Sequence, residues 1–231
     1  NQNKTMSNYE LGKNFFIFSY FDKIIDPKFI YKGKINLNPF YSIIKGDVDK
    51  INLSYLFRDN SLFTQLFKTE ILNNKNLNID LNINSKKIFQ SQNFIDFILN
   101  FKIEEGLIDI DSTKFSWNKY VDFEILDSLL YVNNNNLILD GKLIINIDND
   151  KEFFKFLQTS KNHRPKLKKL ELNFIYNFDQ QVVNFNNIKV NHQFSQTVSN
   201  FFKKIILKKD NFQNKIYIKK ILKQAVAAYV G

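Results

Sequence analysis

The residues that could do chemistry are few. The chain has two histidines, His163 and His192, and no cysteine. Neither histidine has a partner at metal-ligand spacing, and no His-Glu-x-x-His run occurs, so the sequence offers no metal centre. Without cysteine there are no disulfides, no thiolate chemistry and no zinc–cysteine sites. A Gly-rich phosphate loop and a Gly-x-Ser-x-Gly elbow are both missing. Paired acids occur at Glu104-Glu105, but Gly106 follows them and a hairpin turn explains the run better than acid–base work. His163 lies in the polar connector Lys161-Asn162-His163-Arg164-Pro165 and reads as a surface loop. Trp117, two residues after Phe115, reads as a core anchor. No catalytic residue, metal or cofactor is therefore expected, and the chain reads as non-enzymatic.

What the sequence does carry is apolar residues at period two, the mark of a strand with one apolar and one wet face. In Asn76 to Asn84 the odd positions Leu77, Ile79, Leu81 and Ile83 are apolar, and the even ones are Asn or Asp. The same alternation runs through Phe97, Leu99, Phe101 and Ile103. It returns at Leu137, Leu139, Leu143, Ile145 and Ile147, and at Leu170, Leu172, Phe174, Tyr176 and Phe178. An earlier case is Phe29, Tyr31, Ile35 and Leu37, with Gly33 facing inward. Short turns join these runs at Glu104-Glu105-Gly106, at Asn133-Asn134-Asn135-Asn136 and at Asp179-Gln180-Gln181. Sequential hairpins predict an antiparallel meander that keeps one face in water. The fold class expected is mainly β with flanking helices, a curved, one-sided amphipathic sheet or groove.

Helical periodicity interrupts the strands. Ser61 to Leu72 places Leu62, Phe63, Leu66 and Phe67 on one stripe, with Asp59 or Asn60 as N-cap. Asp150 is placed to cap a short helix carrying Phe153, Phe156 and Leu157. Val198, Phe201, Phe202 and Ile205 follow helical spacing, as do Ile218, Ile221, Leu222, Ala225 and Val226. These predict a β-rich region over 1–192 and a helical terminal segment over 193–231.

Composition sets the remaining bounds. Of the 231 residues 44% are hydrophobic, and Phe supplies 25 against ten Tyr and one Trp. Six Gly are few for a β-rich chain, so other residues must turn it, and the abundant Asn can supply left-handed turn positions. The net charge of +10 comes almost wholly from Lys. The Lys are scattered, with short clusters such as Lys203-Lys204, Lys208-Lys209 and Lys219-Lys220, while the aromatics alternate away from them. Nucleic-acid binders put both on one face, so no nucleic acid is expected as partner. No apolar run reaches the length of a membrane-spanning helix. Both ends read as cuts in a longer protein.

The apolar face has two readings. One is an open trough for lipid, lined by Leu77, Ile79, Leu81, Phe97, Leu99, Phe101, Leu139, Leu143, Ile145, Leu172 and Phe174. Moving an acyl chain of about 16 carbons into water costs on the order of 13 kcal/mol, at about 0.8 kcal/mol per methylene, and a continuous apolar trough removes most of that barrier. The other reading is a structural or assembly scaffold whose face is filled by its own helices. Alternation is common to both.

The strand patterns resemble the AsmA-like family of bacterial envelope proteins. The resemblance rests on Tyr31-Lys32-Gly33-Lys34-Ile35-Asn36-Leu37-Asn38-Pro39-Phe40, on Leu66 to Ile83 and on Ile103 to Ile110. It continues with Leu139-Asp140-Gly141 through Phe153 and with Arg164 to Asn191. It implies a periplasm-facing protein of the cell envelope, anchored to the inner membrane through a segment absent from this chain. It also implies an elongated β-groove and a role in phospholipid transport or outer-membrane biogenesis, with phospholipid or another acyl-chain lipid as partner. The family brings no binding residue that can be carried over.

Overall fold

A computed structural model describes residues 5–22, 29–52, 61–89, 93–205, 207–208 and 214–230. Among them fourteen strands form a single sheet. The first four are β1 (Thr5–Leu11), β2 (Phe15–Asp22), β3 (Phe29–Leu37) and β4 (Phe40–Ile51). Helix α1 (Leu62–Lys68) precedes β5 (Asn78–Ile88), β6 (Phe94–Glu104), β7 (Leu107–Asp109) and β8 (Thr113–Trp117). Then come β9 (Val121–Asn133), β10 (Asn136–Ile147), helix α2 (Asp150–Leu157), β11 (Lys169–Asn177) and β12 (Val182–Val190). The chain ends with β13 (Gln193–Phe194), helix α3 (Gln196–Lys203), β14 (Leu207–Lys208) and helix α4 (Lys215–Val230).

The spatial order is β1-β2-β3-β4-β5-β6-β8-β9-β10-β11-β12-β13, with β7 beside β6 and β14 beside β12. Every pairing is antiparallel except β4 with β5, the step that spans α1. A parallel neighbour needs a crossover, and this one lays a helix on the sheet. All five alternating runs are strands, and with the flanking helices they make the expected mainly β fold.

Asn does supply turn geometry. Asn134 and Asn135, at φ 47° and 61°, close the two-residue turn between Asn133 and Asn136. Glu105 and Gly106, at φ 52° and 82°, do the same between Glu104 and Leu107. Positive φ at both central positions matches the twist of the flanking strands.

The helices differ in detail from the spacing. Asp59 and Asn60 lie outside the described residues, and Ser61 caps α1 by accepting from the Thr64 N–H at 3.1 Å. The inward side of α1 is Thr64 and Phe67, both buried, while Leu62 is 85% exposed. The inward pair is thus spaced i, i+3, and the expected Leu62–Leu66 stripe points away; the Phe63 side chain lies outside the described set. Asn149, not Asp150, caps α2, accepting from the Glu152 N–H at 3.1 Å. Asp150 opens the first turn, where a carboxylate suits the helix dipole. Phe153, Phe154 and Leu157 are the buried residues of α2, and Phe156 is half-buried against Trp117. Ile205 falls beyond the end of α3. After His192, β13 and β14 pair with β12, and α3 and α4 bury Val198, Ile221 and Val226 in the core shared with β9–β12.

Candidate functional site

Register assigns each residue to a face, because directly paired residues share one. On one face the pairs run Phe18–Gly33–Ile44–Leu81–Phe101 across β2 to β6. Farther along they run Ile125–Leu143–Leu172 and Phe123–Ile145–Leu170 across β9 to β11. All the proposed trough residues that lie on strands fall on this face: Ile79, Leu81, Phe97, Leu99, Phe101, Leu139, Leu143, Ile145, Leu172 and Phe174. Leu77 directly precedes β5 and packs against the same core.

Two bulges keep that face continuous. Asp96, at φ 53°, takes up an extra residue in β6, so that Phe94 and Phe97 both pack on Phe115, with ring centroids 5.5 and 6.4 Å away. Asp127, at φ 50°, does the same in β9, where the apolar phase shifts from Val121, Phe123 and Ile125 to Leu130 and Val132. Asp111 holds this second bulge, accepting from the Ser128 N–H at 2.6 Å and the Asp127 N–H at 3.2 Å.

The face is covered unevenly. From β6 to β12 it is roofed by α1, α2, α3 and α4, through Phe67, Phe153, Phe154, Leu157, Val198, Ile221 and Val226. Leu139, Leu172 and Phe174 are buried in this core, and Phe97 and Leu99 form a smaller buried cluster with Ile51. Leu77, Ile79, Phe101, Leu143 and Ile145 are half-buried against the main core. Leu81 is half-buried and belongs to neither cluster. The proposed trough is thus largely a filled core in its β9–β11 part.

The open part lies elsewhere. On the same face, β1 to β4 present Tyr9, Leu11, Phe16, Phe18, Tyr20, Phe29, Tyr31, Ile35, Leu37, Phe40 and Ile44. No residue of β1–β3 belongs to either core cluster. Tyr9 is 78% exposed, Leu11 79% and Leu37 56%. The rings touch one another instead. Tyr20 stacks on Tyr31 at 5.0 Å between centroids, Phe29 meets Tyr31 edge-on at 5.2 Å, and Phe16 stacks on Phe18 at 5.5 Å. Lys32, Lys34 and Lys45 sit on the opposite face. Sequence reasoning recognised β3 but did not nominate its apolar residues, and it passed over β2. There Phe15, Ile17 and Phe21 interleave with Phe16, Phe18 and Tyr20, so the run lacks a polar phase to read.

The paired acids and the two histidines hold structural positions. Glu104 pairs with Lys102 beside the β6–β7 turn. His163 is exposed, with Nδ1 2.8 Å from the Ser160 hydroxyl. His192 lies in a turn, 3.1 Å from Glu171 Oε1. The Lys169 ammonium, by hydrogen bonding, holds the Glu171 carboxyl below the usual carboxylate range against the opposing effect of burial. Among the described residues no three His, Asp or Glu side chains converge to hold a metal ion, and no helix is long and apolar enough to cross a membrane.

Comparison of the chain with protein-family models, curated proteins and solved structures found no match.

Proposed function

We propose that this chain is a non-enzymatic segment of a bacterial envelope protein that shields lipid acyl chains on the aromatic face of β1–β4. The observation that carries the reading is the uneven cover. The same apolar face that four helices close over β6–β12 continues in register across β1–β3, and among the described residues none of those three strands contributes to either core cluster. Exposed apolar area of this kind is costly in water and marks a surface that meets apolar material. At about 3.3 Å per residue a nine-residue strand such as β3 spans roughly 30 Å, against roughly 15 Å for the acyl chains of one leaflet. The lysines of β3, Lys32 and Lys34, lie on the opposite face, away from the rings, which favours an acyl chain over a nucleic acid. The resemblance to AsmA-like proteins supplies the setting. It is a periplasm-facing place in phospholipid transport or outer-membrane biogenesis, with the inner-membrane anchor in a segment absent from this chain.

A structural scaffold is the second reading, favoured by the helical roof over Leu139, Leu172 and Phe174. Native mass spectrometry after mild purification separates the two. The lipid reading expects phospholipid to co-purify and to be lost from a Phe18→Ser/Tyr31→Ser variant that still melts cooperatively. A lipid-free wild-type protein that also takes up none from phospholipid vesicles supports the scaffold.

A further inference from the structure

The opposite, polar face of the sheet holds a cleft of about 610 Å³ over β9–β12. That is within the range of roughly 300–1,000 Å³ usual for small-ligand sites. Two bulges frame it. One is at Asp127 in β9, and the other is at Asn187 in β12, where φ is 50° and the register with β11 shifts by a residue. Bulged strands bend, and a bend on each side of the β10–β11 pair makes a hollow in the face.

Asn173 and Asn186 are direct cross-strand partners at the floor of this hollow, both half-buried. Neither side chain has a hydrogen-bond partner among the described residues. Each carboxamide offers two donors and two acceptor lone pairs to whatever occupies the cleft. The neighbouring charges are mostly engaged with each other: Lys142 with Asp127 at 3.3 Å, and Glu171 with Lys169 and His192, each at 3.1 Å. The apolar wall is Phe194, 55% exposed, with Ile175 at 40%.

We infer that this cleft binds a neutral oligosaccharide. Sugar hydroxyls are donors and acceptors at once, which is what paired carboxamides bordered by carboxylates and ammonium groups satisfy. An exposed phenyl ring offers an apolar plate for the C–H face of a sugar ring. With Lys169 paired to Glu171, the carboxylates of Asp127, Asp140 and Glu171 balance the ammonium groups of Lys142, Lys169 and Lys189, so the cleft offers an anionic ligand no net attraction. The polar floor disfavours an acyl chain. The site lies on the face opposite to the aromatic one, so it stands or falls independently of lipid binding.

The test is saturation-transfer NMR on the whole chain with maltotriose, cellotriose and chitotriose, and with adenosine monophosphate as the anionic comparison. At least one trisaccharide should show saturable transfer. Phe194→Ala and the double variant Asn173→Ala/Asn186→Ala should each weaken it by about tenfold or more, as loss of a central contact does. Lipid retention and the melting transition should be unchanged in both variants. The inference is overturned if no trisaccharide binds, if adenosine monophosphate binds more tightly than all three, or if both variants bind as wild type does.

Discussion

Phe18 lies over Gly33, its direct partner across β2 and β3, so closely that a Cβ on the glycine would stand 2.6 Å from the Phe18 Cζ. The ring fills the place of the missing side chain, an arrangement known to steady glycine in a sheet. The same Cβ would also stand 2.9 Å from the Ile43 carbonyl oxygen. A ring can swing aside, but a backbone carbonyl in the β3–β4 ladder cannot. Gly33→Ala is therefore expected to destabilise the protein by about 1–3 kcal/mol, the usual cost of overpacking. Urea unfolding measures it, and a neutral result would mean that the β3–β4 ladder yields.

The Asn134–Asn135 turn gives a second expectation. Both residues are left-handed, which Asn tolerates and β-branched residues do not. Asn135→Val should cost about 1–3 kcal/mol in strain, whereas Asn135→Gly should be neutral or stabilising. Thermal melting of the two variants side by side checks the order, and equal melting points would remove the turn from the account.

Strand order and facing were legible where polar residues set the phase. Asn76 to Asn84 spelled out β5 because every outward position is Asn or Asp. Where both faces carry apolar residues the phase was lost, as in β2 and at Ile138 and Ile144, which are buried although they face away from the helical core. The bulges at Asp96 and Asp127 were visible as phase slips, Phe94 to Phe97 and Ile125 to Leu130, but a strict period of two passes over a slip. The lipid-site candidates were chosen by regularity of alternation. Regularity is highest where a wet face opposes a filled core, so that choice favoured β5, β10 and β11 over the open strands. Which stretch of the apolar face the helices cover depends on contacts between α1–α4 and strands far off in the chain, and local spacing carries no such information.

Lys68, at the end of α1, pairs with Asp179 in the β11–β12 turn, and the same carboxylate accepts from the Leu137 N–H at 2.8 Å. Burial pushes the Asp179 carboxyl up, but the hydrogen bonds from Lys68 and Leu137 outweigh it and leave it below its ordinary value. A depressed folded-state value means that the contribution is fully present above the unfolded-state value, about 3.9, and is lost as pH falls through the folded one. Asp179→Asn should therefore cost on the order of 1–2 kcal/mol at neutral pH. Measured by urea midpoints, the gap from wild type should hold steady down to about pH 5 and shrink below about pH 4. A gap that widens in acid would reverse the assignment.

The sharpest expectation concerns the two halves of one face. Leu172 is buried beneath the helices, while Tyr31, on the same face, is half-buried and makes ring contacts with Phe18, Tyr20 and Phe29 on β2 and β3. Leu172→Asp strands an unpaired charge in an apolar interior and should cost several kcal/mol, on the order of 3–5, a large share of the roughly 5–15 kcal/mol that holds an ordinary domain folded. Tyr31→Asp leaves its carboxylate in water and should cost about 1 kcal/mol, the loss of its ring contacts. Leu143 and Phe101, half-buried at the border of the roof, should fall between when changed to Asp. Melting curves rank the four variants. The lipid readout is separate: a photoreactive residue in place of Tyr20 should crosslink phospholipid from vesicles, and one in place of Leu172 should not. If Tyr31→Asp unfolds as readily as Leu172→Asp, the β1–β4 face is closed by contacts beyond those described. If it stays folded and position 20 crosslinks no lipid, the face is open but its partner is not an acyl chain.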